Sequence, residues 1–288
     1  KSEAFYNFSI GLLYIPSSVK KIEPGCFFKV QQSFQIIVST RNPHFIYIDD
    51  NYLVQRGEDG FDTLIYVRSD IEDVLVPSSV KYIRPSSLSN CTQLKTLNFE
   101  ENTQIESIQY GVLVESLEKF YIPKTLTNID QICFQLPFNL RKIKVFGGNP
   151  SYRFVDPFLL KKSDGDEFDE IVFCRRDIDE VKIPKEIRKV SSYSFTNCNN
   201  LNKIHFPKDS ILETIENYAF YSVPGIKKIT FPPNLKSVGS FAFSGMKNLG
   251  QVFFYSETIR INSKCFFSCD KLLSVSFSKA KNLYLDDS

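Results

Sequence analysis

The chain has 288 residues, 42% of them apolar and 24% charged, with 35 Lys and Arg against 33 Asp and Glu. These values exclude a disordered chain, give no global signature of nucleic-acid or membrane-surface binding, and leave no apolar run long enough to span a bilayer. Only two histidines, His44 and His205, are present, which thins the options for acid–base catalysis and imidazole metal sites. The chain opens on Lys1 without a leader pattern and reads as a fragment of a longer product.

Taken in chain order, one apolar spacing recurs. Ile10, Leu13 and Ile15 open the series, and a weaker copy starts at Ser33 with Ile36 and Val38. Ile71-Val74-Val76, Leu94-Leu97-Phe99, Leu117-Phe120-Ile122 and Leu140-Ile143-Val145 follow. The second half continues with Ile178-Val181-Ile183, Leu201-Ile204-Phe206, Ile226-Ile229-Phe231, Leu249-Val252-Phe254 and Leu272-Val275-Phe277. The step from the second to the third apolar residue is a strand alternation, and a proline after many copies ends the strand. Each strand is followed by a second apolar pair and then an aromatic, as in Leu126, Ile129, Phe134 or Leu235, Val238, Phe243. These predict the opposite wall of a coil. One such turn cannot bury its own apolar face, so stacked turns must share a core.

Most starts are 23 residues apart, and two steps are 38. A longer period of 107 residues maps Asn42-Pro43 onto Asn149-Pro150, Asp70 onto Asp177 and Cys91 onto Cys198. Four units therefore form a duplicated super-repeat within a single domain spanning 1–288. The two long steps predict inserted β-hairpins at about 39–70 and 146–177. The first pairs Leu53–Arg56 with Leu64–Val67 around Asp59-Gly60, and the second pairs Phe158–Lys161 with Ile171–Cys174 around Asp164-Gly165. Both are expected to project from the coil.

The unit Ile71-Glu-Asp-Val-Leu-Val-Pro-Ser-Ser-Val80-Lys-Tyr-Ile83, with Leu88-Ser-Asn-Cys91-Thr-Gln-Leu94 after it, resembles the BspA-like leucine-rich repeats. The resemblance covers about residues 10–277, with departures at Ser33 and at Gly111, where Leu113 matches Phe220 instead. It implies a leucine-rich-repeat solenoid with a concave parallel sheet of about eleven short strands. The convex face would be irregular or 3-10 turns. It also implies a surface-displayed or secreted protein that attaches to host cells, matrix or other microbes. The alternative is an intracellular, cytoplasmic scaffold built on the same solenoid. The family carries no catalytic residues, cofactor or metal to transfer, and oligomeric state is open.

Seven cysteines leave at least one thiol unpaired. Cys26, Cys133 and Cys265 precede the aromatic position, and Cys91, Cys198 and Cys269 share a turn position. Repeat positions imply buried, reduced thiols, with disulfides and a metal site as the other readings. Cys174 has no repeat role. His44 has Ser151 as its super-repeat equivalent, which argues against a catalytic Cys–His pair. The acidic stretch Asp164–Glu170 lacks the spacing of a calcium loop and reads as a solvated hairpin tip. Two sequons start at Asn7 and Asn90, and Asn90 is expected to be packed and unmodified.

Side chains two and four positions after each strand's lead residue should face outward. In the middle strands they read Lys119, Tyr121, Lys142, Lys144, Lys182, Lys203, His205 and Lys228. This column is the expected ligand face, for a protein or anionic glycan partner. Nucleic acid is not expected, because no arginine-rich reading motif is present. The bland alternative is ordinary solvated lysine on an exposed sheet.

Overall fold

The computed structural model describes residues 11–23, 25–27, 30, 35–163 and 165–286. Ile10, Ser33, Asp164 and the sequon at Asn7 lie outside the described residues. The chain divides into two compact units, 1–151 and 152–288.

In the first unit, Leu12–Ile15 pairs in parallel with Gln35–Val38. A four-stranded parallel sheet holds Asp73–Val76, Thr96–Phe99, Lys119–Ile122 and Lys142–Val145 in that order. Register follows the 23-residue period, with Leu12 opposite Gln35, Asp73 opposite Thr96 and Lys119 opposite Lys142. In the second unit, Glu180–Lys182 pairs with Lys203–His205, and Lys228–Thr230, Gln251–Phe254 and Ser274–Phe277 form one sheet. All eleven strands therefore fall where the apolar spacing puts them.

The opposite wall is more regular than a string of turns. Ser107–Ile108 pairs with Asn128–Ile129 in the first unit. In the second, Lys189–Val190, Thr214–Ile215, Ser237–Val238, Thr258–Ile261 and Asn282–Leu285 form one parallel ladder. Except in the terminal Asn282–Leu285, whose side chains are exposed, these strands carry the second apolar residue inward, as Ile215 and Val238 do, both fully buried. The 3-10 helix Gln131–Gln135 occupies one turn, capped by the Asp130 carboxylate accepting from Ile132 N–H.

Both expected hairpin pairs form, but each gains a third antiparallel strand, making a meander, and packs down instead of projecting. Phe45–Ile48, Tyr52–Arg56 and Phe61–Val67 form the first, and Tyr152–Val155, Phe158–Lys161 and Glu170–Cys174 form the second. The last strand of each joins the second-wall ladder in parallel, Leu64 opposite Ile83 and Ile171 opposite Val190. The physical reason is in the sequence. Leu64–Val67 and Ile171–Cys174 are unbroken apolar runs, and all eight side chains are buried. A hairpin standing clear in water would expose one face of such a run.

The core of the second unit is organised by phenylalanine stacks. Phe195, Phe220, Phe243 and Phe266 are linked at centroid distances of 4.6, 5.3 and 5.6 Å. Phe206, Phe231, Phe254 and Phe277 form a parallel series at 5.3, 4.9 and 5.0 Å. The spacing matches the strand separation of about 4.8 Å, so one aromatic per coil fills one layer.

Candidate binding faces

The outward positions of the sheets are where the backbone pattern leaves side chains free. In the first unit, Lys119, Lys142 and Lys144 are exposed and Tyr121 is half-buried. The ladder places Lys119 directly beside Lys142 and Tyr121 beside Lys144. Phe146, just past the strand, packs against Tyr121 at 6.4 Å, and the Lys144 ammonium sits 4.9 Å from the Phe146 ring centre. None of the three lysines joins an ion pair among the described residues. The result is a cationic patch around a small aromatic floor.

In the second unit, Lys182, Lys203, His205 and Lys228 are all exposed on their strands. Their chemistry differs from the first group. Lys203 is paired with Glu180 at 2.8 Å, and the Lys228 ammonium lies 4.7 Å from the Phe253 ring centre. His205 stands beside Lys182 across the ladder. The eight residues of the expected face thus form two sets of four, one per unit, and the first set carries more unpaired positive charge.

The lysine pattern passed over two other features of the first unit. Leu12, Tyr14, Ile37 and Leu75 also point outward and are exposed, so part of this unit's sheet surface is apolar. A groove of about 1140 Å³ is lined by Ser86, Asn90, Tyr110, Gly111, Ile132 and Leu136 among others. Gly111 has φ +74°, and a Cβ there would stand 2.9 Å from the Ser86 Cα, so the backbones of the two coils approach closely at this point. The departure of Gly111 from the repeat was the available signal. Leu113 is buried, as its match to Phe220 requires.

Other candidates resolve into structure. All seven cysteines are free thiols, six of them buried and Cys269 half-buried. Burial pushes Cys91 and Cys133 up to about 12 and Cys26 up to about 11. Asp169 in the acidic stretch accepts from the Ser163 N–H and hydroxyl and lies 3.5 Å from Arg188. Among the described residues, no group of three or more His, Cys, Asp or Glu is placed to hold a metal ion. The Asn90 side-chain nitrogen donates to the Phe27 carbonyl and is half-buried, so the sequon's acceptor atom is engaged.

Two parallel ladders facing each other across stacked apolar layers, one coil every 23 residues, define a repeat solenoid. Residues 1–53, 62–150 and 166–286 match the BspA type leucine-rich repeat region in six copies, and the chain belongs to that family. Solved structures of similar fold include the pneumococcal vaccine antigen PcpA, at 22% identity and TM-score 0.59, covering 94% of this chain and 70% of that one. A leucine-rich repeat protein from Eubacterium ventriosum aligns at 18% identity and TM-score 0.63, over 96% of this chain and 80% of that one. A leucine-rich cell surface protein from Faecalibacterium prausnitzii aligns at 16% and 0.65, over 97% and 82%. No curated protein matches. Among the described residues, no helix is long and apolar enough to cross a membrane.

Proposed function

We propose that this chain is a non-catalytic binding module, displayed at a cell surface, that attaches to an acidic partner, protein or glycan, through its lysine-bearing sheet faces. The observation that carries the reading is the patch of Lys119, Lys142 and Lys144 around Tyr121 and Phe146. Three ammonium groups on adjacent strands about 4.8 Å apart raise local positive potential although net charge is only +2. The aromatic floor supplies area at low entropic cost. Family membership and the surface proteins of similar fold support display. The Lys182, Lys203, His205 and Lys228 set is a secondary face of the same kind.

The binding test uses two probes, immobilised heparin and immobilised polyglutamate. The chain is expected to be retained on at least one at moderate salt, and the K119E/K142E/K144E variant to elute earlier with its fold intact. Equal retention of both proteins, or no retention of either, overturns the assignment. Display is tested by labelling intact producing cells with an antibody, and signal only after lysis would remove that part.

A further inference from the structure

Cys174 has no counterpart in the repeat, and the structure gives it one neighbour that explains its presence. It is fully buried at the end of the second meander, its N–H donating to the Ser194 carbonyl at 2.9 Å. Cys198, also fully buried, brings its thiol within 3.8 Å of the carbonyl of Arg175, the residue next to Cys174. The guanidinium of Arg176, itself buried, donates to the Cys198 Sγ at 3.5 Å. Arg176 is held there by the Ser194 and Tyr193 carbonyls at 2.7 and 3.0 Å and lies 4.6 Å from the Phe173 ring centre.

The duplication supplies an internal control. Subtracting 107 takes Cys198 to Cys91, Cys174 to Val67 and Arg176 to Ser69. Cys91 and Cys198 share a backbone position, and both face the carbonyl 23 residues earlier, Arg68 at 3.6 Å and Arg175 at 3.8 Å. Only the second copy adds a thiol and a cation. Burial pushes the Cys91 thiol up to about 12, with Asp70 adding to the rise. Burial acts on Cys198 in the same direction. There the neighbouring Cys174 thiol and the charge and hydrogen bond of Arg176 outweigh burial, and Asp177 opposes them, leaving Cys198 below the ordinary thiol range. Burial and the Cys198 contact push Cys174 up, against the nearby charges of Arg176 and Arg175.

We propose that Cys174, Cys198 and Arg176 form a buried peroxide-reactive site, at which hydrogen peroxide converts the two thiols into one intramolecular disulfide. The thiolate is the reactive form of cysteine, and a cation beside it is what favours that form. In the first step the Cys198 thiolate attacks one peroxide oxygen. The O–O bond breaks, Cys198 becomes a sulfenic acid, and hydroxide leaves. In the second step the Cys174 sulfur attacks the Cys198 sulfur. Water leaves with the sulfenic oxygen and the Cys174 proton, and the S–S bond forms. The two thiols are oxidised by two electrons, and the peroxide is reduced to water, the hydroxide taking up one proton.

The test treats the folded chain with hydrogen peroxide near pH 7, alkylates after denaturation and maps peptides without reduction. The expected product is a peptide linked through Cys174 and Cys198, with the other five thiols alkylated. Two variants copy the first super-repeat, so their side chains are ones this scaffold already holds. C174V should give a dimedone-trapped sulfenic acid on Cys198 and no linked peptide. R176S should slow oxidation at least tenfold, the factor for one pKa unit of lost thiolate. Should R176S fail to fold, the wild-type pH profile decides. A rate that levels off near neutral pH supports the site, and one that keeps rising through about 8.5, the ordinary thiol value, overturns it. Oxidation of Cys91 as fast as Cys198, or an unchanged rate in folded R176S, also overturns it.

Discussion

Asn149 repeats, 107 residues on, the hydrogen bonds of Asn42. The Asn42 side-chain nitrogen donates to the Pro16 and Val19 carbonyls at 2.7 and 3.3 Å, and its oxygen accepts from the His44 N–H at 2.7 Å. Asn149 donates to the Pro123 and Leu126 carbonyls at 2.8 and 2.9 Å and accepts from the Ser151 N–H at 2.9 Å. Each asparagine ties the turn of the preceding coil to the residue two positions beyond itself. No other side chain of that size both donates twice and accepts at these positions.

Replacing Asn149 by Asp is therefore expected to destabilise the fold by about 1–3 kcal/mol, because two turn carbonyls lose their donor and face a carboxylate instead. Asn42→Asp should cost as much or more, since Asn42 is the more buried. The measurement is the urea midpoint at unchanged slope. A loss under about 0.5 kcal/mol in both would show the bonds to be replaceable by water.

Gly111 and Gly245 share φ +74° but differ in what surrounds them. At Gly111 a Cβ meets the Ser86 backbone at 2.9 Å, whereas at Gly245 the nearest atom is the Ser222 hydroxyl oxygen at 3.1 Å, which can rotate away. Gly245→Ala is expected to cost about 1–2 kcal/mol, the left-handed penalty alone. Gly111→Ala should cost clearly more, because backbone must shift. Thermal midpoints of the two variants check the order, and equal midpoints would contradict it.

The strand positions were legible because packing dictates them. Leu97, Phe120, Ile229 and Val252 recur at fixed spacing and are buried for that reason. The hairpin pairs of the inserts were legible, but their third strands and their docking were not. Leu64–Val67 and Asp59-Gly60 read as a free hairpin because the local turn signal is strong, yet the run is apolar on both faces and joins the ladder through Ile83. The outward columns were legible as positions, but their electrostatics were not. Nothing in the lysine pattern says that Lys203 meets Glu180 while Lys142 meets Lys119, since that depends on which residue the next coil brings alongside. Cys174 was visible as an exception, but its neighbours Cys198 and Arg176 follow only from the fold.

Phe231 links the two aromatic stacks of the second unit. Its ring lies 5.3 Å from Phe206, 4.9 Å from Phe254 and 5.4 Å from Phe243. Phe231→Ala is expected to cost about 3–5 kcal/mol through lost burial and the cavity it leaves. Phe231→Leu keeps most of the volume and should lose much less. Chemical denaturation followed by far-UV circular dichroism measures both. Near-equal losses would mean that ring stacking, not volume, holds this layer.

Glu213 lies between two cations on neighbouring coils, 2.9 Å from Lys236 and 2.9 Å from Arg188. The hydrogen bond from Lys236 holds its carboxyl below the ordinary carboxylate range, with the nearby charges of Lys236 and Arg188 adding to that and partial burial opposing it. A carboxyl whose folded value is lowered stabilises the fold above its unfolded value, about 4.3 for glutamate. That contribution is lost as pH falls through the lowered folded value. Glu213→Gln should therefore be less stable than the parent at pH 7, by at most about 1 kcal/mol because the pairs are solvent-screened. The gap should close progressively as pH drops below about 4 and should shrink in high salt. Urea midpoints of both proteins across pH 2–7 give the comparison. A gap that persists unchanged at the acid end would assign the loss to packing of the side chain and not to its charge.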